Sequence, residues 1–209
     1  MSKMCGSVLS VIALALWGCA APRVQVYLRP DVHTEESKIL VFPILLFDGT
    51  KIRTSNAEYS NPLADALSSK KWSSALGSEN TTTIPRLLLD KIPGAYDAIN
   101  VLIAKLDTTS AIEQTTGLTQ FLGALTSQFG DGALAFALVL QDEKEYARTK
   151  KVQVNMGLFD TKKLTWKWIT KHTYAQGAIP VPVPYSTEVS KLVSESFDAL
   201  KSENKGLVR

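Results

Sequence analysis

Ala133-Leu134-Ala135-Phe136-Ala137-Leu138-Val139-Leu140 is an unbroken apolar run. It is too short for an average helix and suits a strand covered on both faces. Downstream, Val152, Val154, Met156 and Leu158 alternate with Lys151, Gln153, Asn155 and Gly157, the period-two pattern of a half-buried strand. Phe159-Asp160-Thr161-Lys162-Lys163 is turn-like, after which Leu164, Trp166 and Trp168 alternate with Thr165, Lys167 and Ile169. The spacing predicts a three-strand antiparallel meander, with Gln141-Asp142-Glu143-Lys144-Glu145 as a charged hairpin connection. In an unbroken strand Trp166 and Trp168 share a face with Leu164, opposite Lys163, Lys167 and Lys171.

Upstream of the meander, Leu118, Phe121, Leu122, Leu125 and Phe129 form one helical face that Gly130 closes, and Ile99, Leu102, Ile103 and Leu106 form another. Thr83-Ile84-Pro85-Arg86 reads as a helix start with Thr83 as N-cap, and Pro93-Gly94 as that helix's end. Ile39 to Phe47 is apolar almost throughout, so strand 1 is placed at about 38–42 with Pro43 at a bulge, strand end or edge. Residues 48–83 are polar, with a short helix expected from Asn61 or Pro62 to Leu76. Downstream of the meander, Ala178 to Tyr185 has proline at every second position and is expected to be extended at an edge or surface. Ser186 or Thr187 then caps a final helix with an apolar stripe of Val189, Leu192, Val193, Phe197 and Leu200. The expected fold class is α+β: a mixed, mostly antiparallel sheet with the meander at its C-terminal side, helices on one face, and a closing C-terminal helix.

The chain of 209 residues is 45% hydrophobic and 21% charged, as for one folded domain. A formal charge of +3 is too small to imply nucleic acid. Cys5 and Cys19 both lie near the start, so core packing rather than disulfides or cysteine-bound metal must hold the rest.

That start is itself informative. Lys3 precedes the apolar stretch Val8 to Trp17, which has signal-peptide length and is too short to span a bilayer. It ends in Leu16-Trp17-Gly18-Cys19, which resembles the lipobox of bacterial lipoproteins, with Trp17 where a small residue is usual. The resemblance implies cleavage before Cys19 and lipid, palmitate included, on that cysteine. It divides the chain into a signal peptide (1–18), a lipidated N-terminus and tether (19–37), and one periplasmic α+β domain (38–209). Ala20 follows the cysteine where an aspartate signals inner-membrane retention in the enterobacterial pattern, which implies the outer membrane. An ordinary secretory signal cleaved after Ala20 or Ala21, and a buried helix over 6–17, are the competing readings.

No G-x-S-x-G, Walker A, G-x-G-x-x-G or H-E-x-x-H pattern occurs. Asp31-x-His33-x-Glu35 reads as a polar surface run rather than a metal site, and His172 beside Lys171 as a solvated strand end. Asp142, Glu143 and Glu145 read as the hairpin connection and Asp160 as the cap of its own turn, which leaves no catalytic residue, metal or cofactor to assign. Trp166 and Trp168 are core residues or an exposed aromatic platform, and with Tyr185 they are the candidate partner contacts. Lys163, Lys167 and Lys171 fit a solvated face better than an anion site.

The order of a strand with Val41-Phe42-Pro43, helices, a meander whose hairpin carries Phe159-Asp160-Thr161 and Trp166, and a closing helix is similar to the small domain of outer-membrane lipoproteins in curli secretion and penicillin-binding-protein activation. The resemblance implies a non-catalytic binding, scaffold or accessory factor in envelope assembly, held to the membrane through Cys19 and recognising an envelope protein or glycan. The alternatives are a carboxylate-based hydrolase of peptidoglycan or lipid, and an oligomeric subunit of an export apparatus. A fold likeness alone does not choose among them.

Overall fold

The structure, a computed structural model, describes residues 23–28, 38–47, 51–52, 70, 81–106, 111–175 and 184–203. The lipobox with Cys19, the His33 run, most of the helix expected over 61–76 and the proline segment as far as 183 lie outside the described residues.

The chain is α+β, as its patterning predicts. Strands β1 (Arg23–Leu28), β2 (Ile39–Val41), β3 (Leu45–Leu46), β4 (Thr81–Thr83), β5 (Ala133–Val139), β6 (Lys151–Asp160) and β7 (Thr165–Ala175) form one mixed sheet. Its order is β1-β7-β6-β5-β2-β4, with β3 also beside β5. β5, β6 and β7 are the antiparallel meander, while β2, β3 and β4 join in parallel. Pro43 lies in the break between β2 and β3, where a missing N–H leaves no ladder bond unmade.

Helices cover both faces of the sheet, not one. α1 (Arg86–Leu89), α2 (Ala95–Ile103) and α3 (Thr116–Phe129) pack on one face, and α4 (Glu143–Thr149) and α5 (Tyr185–Glu203) on the other. β5 explains how one strand serves both layers: Leu134, Phe136 and Leu138 join the α1–α3 core, while Ala133, Ala135 and Ala137 line the α5 core. The small alanines leave room for Leu192, Val193 and Phe197 of α5, all buried.

Several boundaries differ from expectation for local reasons. Residues 20–37 were expected as a tether, yet Arg23–Leu28 pairs antiparallel with β7 as an edge strand. Thr83 ends β4 rather than capping a helix, and Pro85 is the N-cap of α1. Gly94, at φ 71°, begins α2 instead of ending its predecessor, a left-handed position that glycine occupies without steric cost. The charged connection is a helix, α4, whose N-cap Asp142 accepts a hydrogen bond from Glu145 N at 2.7 Å. α5 begins at Tyr185, ahead of Ser186 and Thr187. Val189, Leu192, Val193 and Phe197 are buried against the sheet as expected.

The largest departure is in β7. Phe159 pairs with Trp166 but Leu158 pairs with Trp168, so Lys167 is an extra residue in a β-bulge. One inserted residue turns the strand over, and the two tryptophans point to opposite faces. Trp166 enters the α1–α3 core and Trp168 the α5 core. Trp166 meets Phe136 and Phe159 edge-on and donates from Nε1 to Leu102 O at 3.2 Å. Its ring lies over Gly157: a Cβ there would sit 2.7 Å from Trp166 Cζ3, so glycine is what admits the indole.

Candidate functional site

The bulge also decides what lies under α5. Beyond it, Trp168, Thr170 and His172 face the closing helix, which answers with Glu188, Leu192, Glu195 and Ser196 at helical spacing. His172 is therefore not a solvated strand end: its relative exposure is 0%. Its Nδ1 is 3.3 Å from Leu192 O, and its Nε2 is 3.3 Å from Glu195 Oε2. Ser196 Oγ donates to the same Leu192 O at 2.8 Å. With Nδ1–H donating, Nε2 of the neutral ring presents a lone pair to the Glu195 carboxylate, and the imidazolium would supply the missing proton. Burial opposes that charge and lowers the His172 pKa, against smaller upward pulls from Leu192 O and Glu195.

Glu188, in the first turn of α5, is buried as well, and its desolvation raises its pKa against the pull of Lys191. Glu188 in turn adds to the upward shift that burial gives the Tyr146 phenol. His172 thus stands beside one carboxylate, Glu195, with Glu188 buried nearer the start of the same helix. A general acid or base must reach its substrate. The His172 ring is wholly buried, while Glu195 is one-third exposed and also pairs with Lys191 of its own helix at 3.9 Å.

The predicted site residues take structural positions. Trp166, Trp168 and Tyr185 are buried, with relative exposures of 1%, 2% and 7%, so the platform reading is corrected in favour of the core. Tyr185 donates its hydroxyl to Gln141 O and packs on Tyr146, fixing the start of α5 to the end of β5. Asp160 caps its own turn as expected, accepting from Lys162 N at 2.9 Å and Lys163 N at 3.0 Å. Lys167, the bulge residue, reaches Asp160 Oδ2 at 3.7 Å. Glu145 pairs with Arg148, and Glu143 is an exposed first-turn residue of α4. Antiparallel pairing sets Asp160 and Asp142 at opposite ends of the meander. Among the described residues no group of three or more His, Cys, Asp or Glu side chains is placed to hold a metal.

An open groove of about 460 Å³ lies between α3 and the β6–β7 turn. Gln114, Thr119, Thr126, Asp131, Thr161 and Lys162 are among its polar lining. The hydroxyls of Thr119 and Thr161 donate to backbone carbonyls at 3.0 Å, which leaves their oxygens able to accept from a visitor. Among its described lining residues the groove offers one carboxylate and one amine, with no cysteine or histidine. It can take a polar surface, and among the described lining residues no base stands paired with a nucleophile. Nothing in the sequence marks it, because threonine and glutamine on a helix read as ordinary solvated surface.

No protein-family model and no curated protein matches the chain. Solved structures similar to it include the PelC dodecamer from Paraburkholderia phytofirmans, at 11% identity and a TM-score of 0.47 over 90% of this chain and 99% of that one. Lipoprotein GNA1162 from Neisseria meningitidis is 14% identical with a TM-score of 0.39, over 78% and 96% of the two chains. The LpoB C-terminal domain from Escherichia coli is 11% identical with a TM-score of 0.31, over 68% and 84%. At such identities no residue of this chain acquires a role from those proteins.

Proposed function

We propose that this protein is a lipid-anchored periplasmic factor of the outer membrane that binds a partner in envelope assembly without catalysing a reaction. The observation that carries the reading is Leu16-Trp17-Gly18-Cys19 at the end of a short apolar run. The folded body supports the second half of it. His172 and Glu188 are buried beneath α5, and among the described lining residues of the groove by α3 no nucleophile is paired with a base. The partner is an envelope protein or glycan with a polar surface for the groove, which replaces the tryptophans as the contact region.

Photocrosslinking from the full-length protein in its own host tests this. A crosslinker at exposed Thr126 or Lys162 should trap a discrete envelope component, and one at exposed Glu143 should not. Turnover of peptidoglycan or lipid by the purified protein, lost on replacing a single carboxylate, would overturn the non-catalytic reading.

A further inference from the structure

β1 was not expected to belong to the sheet, and its position fixes more than the fold. Arg23 pairs with Thr173 of β7, which pairs in turn with Gln153 near the start of β6. Only Ala20, Ala21 and Pro22 separate Arg23 from Cys19. Four residue steps of fully extended chain reach at most about 14 Å. β6 runs ten residues from Lys151 to Asp160, about 30 Å at strand rise. An anchor at Cys19 can therefore hold one end of the sheet at the bilayer and cannot reach the other.

We infer that the end of the sheet where β1 and β6 begin is the membrane-facing surface of the molecule, so that the groove at the opposite end opens away from the bilayer. The inference rests on the proposed lipid anchor at Cys19. Three further observations favour this end. Exposed Lys150 and Lys151 stand there at the junction of α4 and β6, cations suited to anionic headgroups, while Arg148 is paired with Glu145, and Asp142 and Glu143 are the acidic residues at the start of the same helix. Both flanks of the connection between β7 and α5 lie there too: Ala175 pairs with Lys151, and Tyr185 is bonded to Gln141. No residue from Ala175 to Thr187 is charged. At the far end, Asp131 precedes β5, Thr161 and Lys162 form the β6–β7 turn, and Thr161 bonds Gly132 O, which places the groove there.

The test uses the full-length lipidated protein in phosphatidylcholine vesicles containing phosphatidylglycerol and headgroup-spin-labelled lipid. A fluorophore is attached through Lys151→Cys or Lys162→Cys, both exposed positions. With the ends about 30 Å apart, quenching at 151 should exceed that at 162 by at least about twofold. A flexible Gly/Ser spacer of about ten residues after Ala21 adds roughly 17 Å of mean reach and should shrink the difference. Equal quenching, or stronger quenching at 162, in protein that floats with the vesicles overturns the orientation alone. Wild-type protein that carries no lipid and does not float overturns the anchor and the inference with it.

Discussion

The two faces of the sheet are built from different materials. The α1–α3 face is aromatic: Phe42 stacks on Phe136 at 4.3 Å, and Phe121, Phe159 and Trp166 join the same buried core. The α5 face sets alanines beneath aliphatic helix residues and carries a seam of buried polar groups, Thr170, His172, Glu188 and Ser196. Close-packed apolar groups stabilise by area and are insensitive to pH, whereas buried ionisable groups cost desolvation in one protonation state. The first face is therefore the stable platform. The second holds its helix with a strength that depends on pH.

The largest expected effect falls on the aromatic face. Trp166→Ala should cost about 3–5 kcal/mol in urea unfolding, since it opens a cavity beside Phe136 and Phe159 and frees Leu102 O. Gly157→Ala should cost about 1–3 kcal/mol, because the added methyl meets the indole at 2.7 Å. The penalty should shrink in a Trp166→Leu background, where the ring is gone; an unchanged penalty would place the strain in the backbone.

The α5 face should respond to protons instead. The folded pKa of His172 lies below its ordinary 6.5, so between the two values the unfolded chain binds more protons than the native one. Stability should fall as pH drops through that window, with a slope of at most about 1.4 kcal/mol per pH unit for one proton, and His172→Gln should flatten it. Glu188 acts with the opposite sign. Its folded pKa is raised above 4.5, so its contribution is present at low pH and lost as pH rises through the folded value. Glu188→Gln should consequently raise the melting temperature at neutral pH and leave the His172 slope in place. The smallest effect belongs to neither face: Leu87 is 75% exposed, and Leu87→Ser should change stability by less than about 0.5 kcal/mol.

The elements that periodicity specifies are those whose environment is uniform along their length. β5 reads as covered on both sides because every residue of it is buried, and the stripes of α2, α3 and α5 read correctly because each helix meets a single surface. β1 was equally legible: Val24, Val26 and Leu28 alternate with Arg23, Gln25 and Tyr27, but Pro22 and Pro30 on either side favour a tether reading. The β7 bulge was not legible. Trp166, Lys167 and Trp168 fit an unbroken alternation, and the inserted residue shows only in the pairing with β6. His172 was missed for a similar reason. Its burial is set by Leu192 and Glu195 of α5, contacts that no local pattern encodes.

The proposed orientation and partner access both descend from the proposed lipid on Cys19, so the most direct measurement is incorporation of labelled palmitate in a bacterial host with lipoprotein processing. The wild type should take up label and fractionate with the outer membrane, and Cys19→Ser should do neither while keeping the same folded domain. Equal labelling of the two proteins, or an unlabelled wild type released into the periplasm, would contradict the lipid anchor.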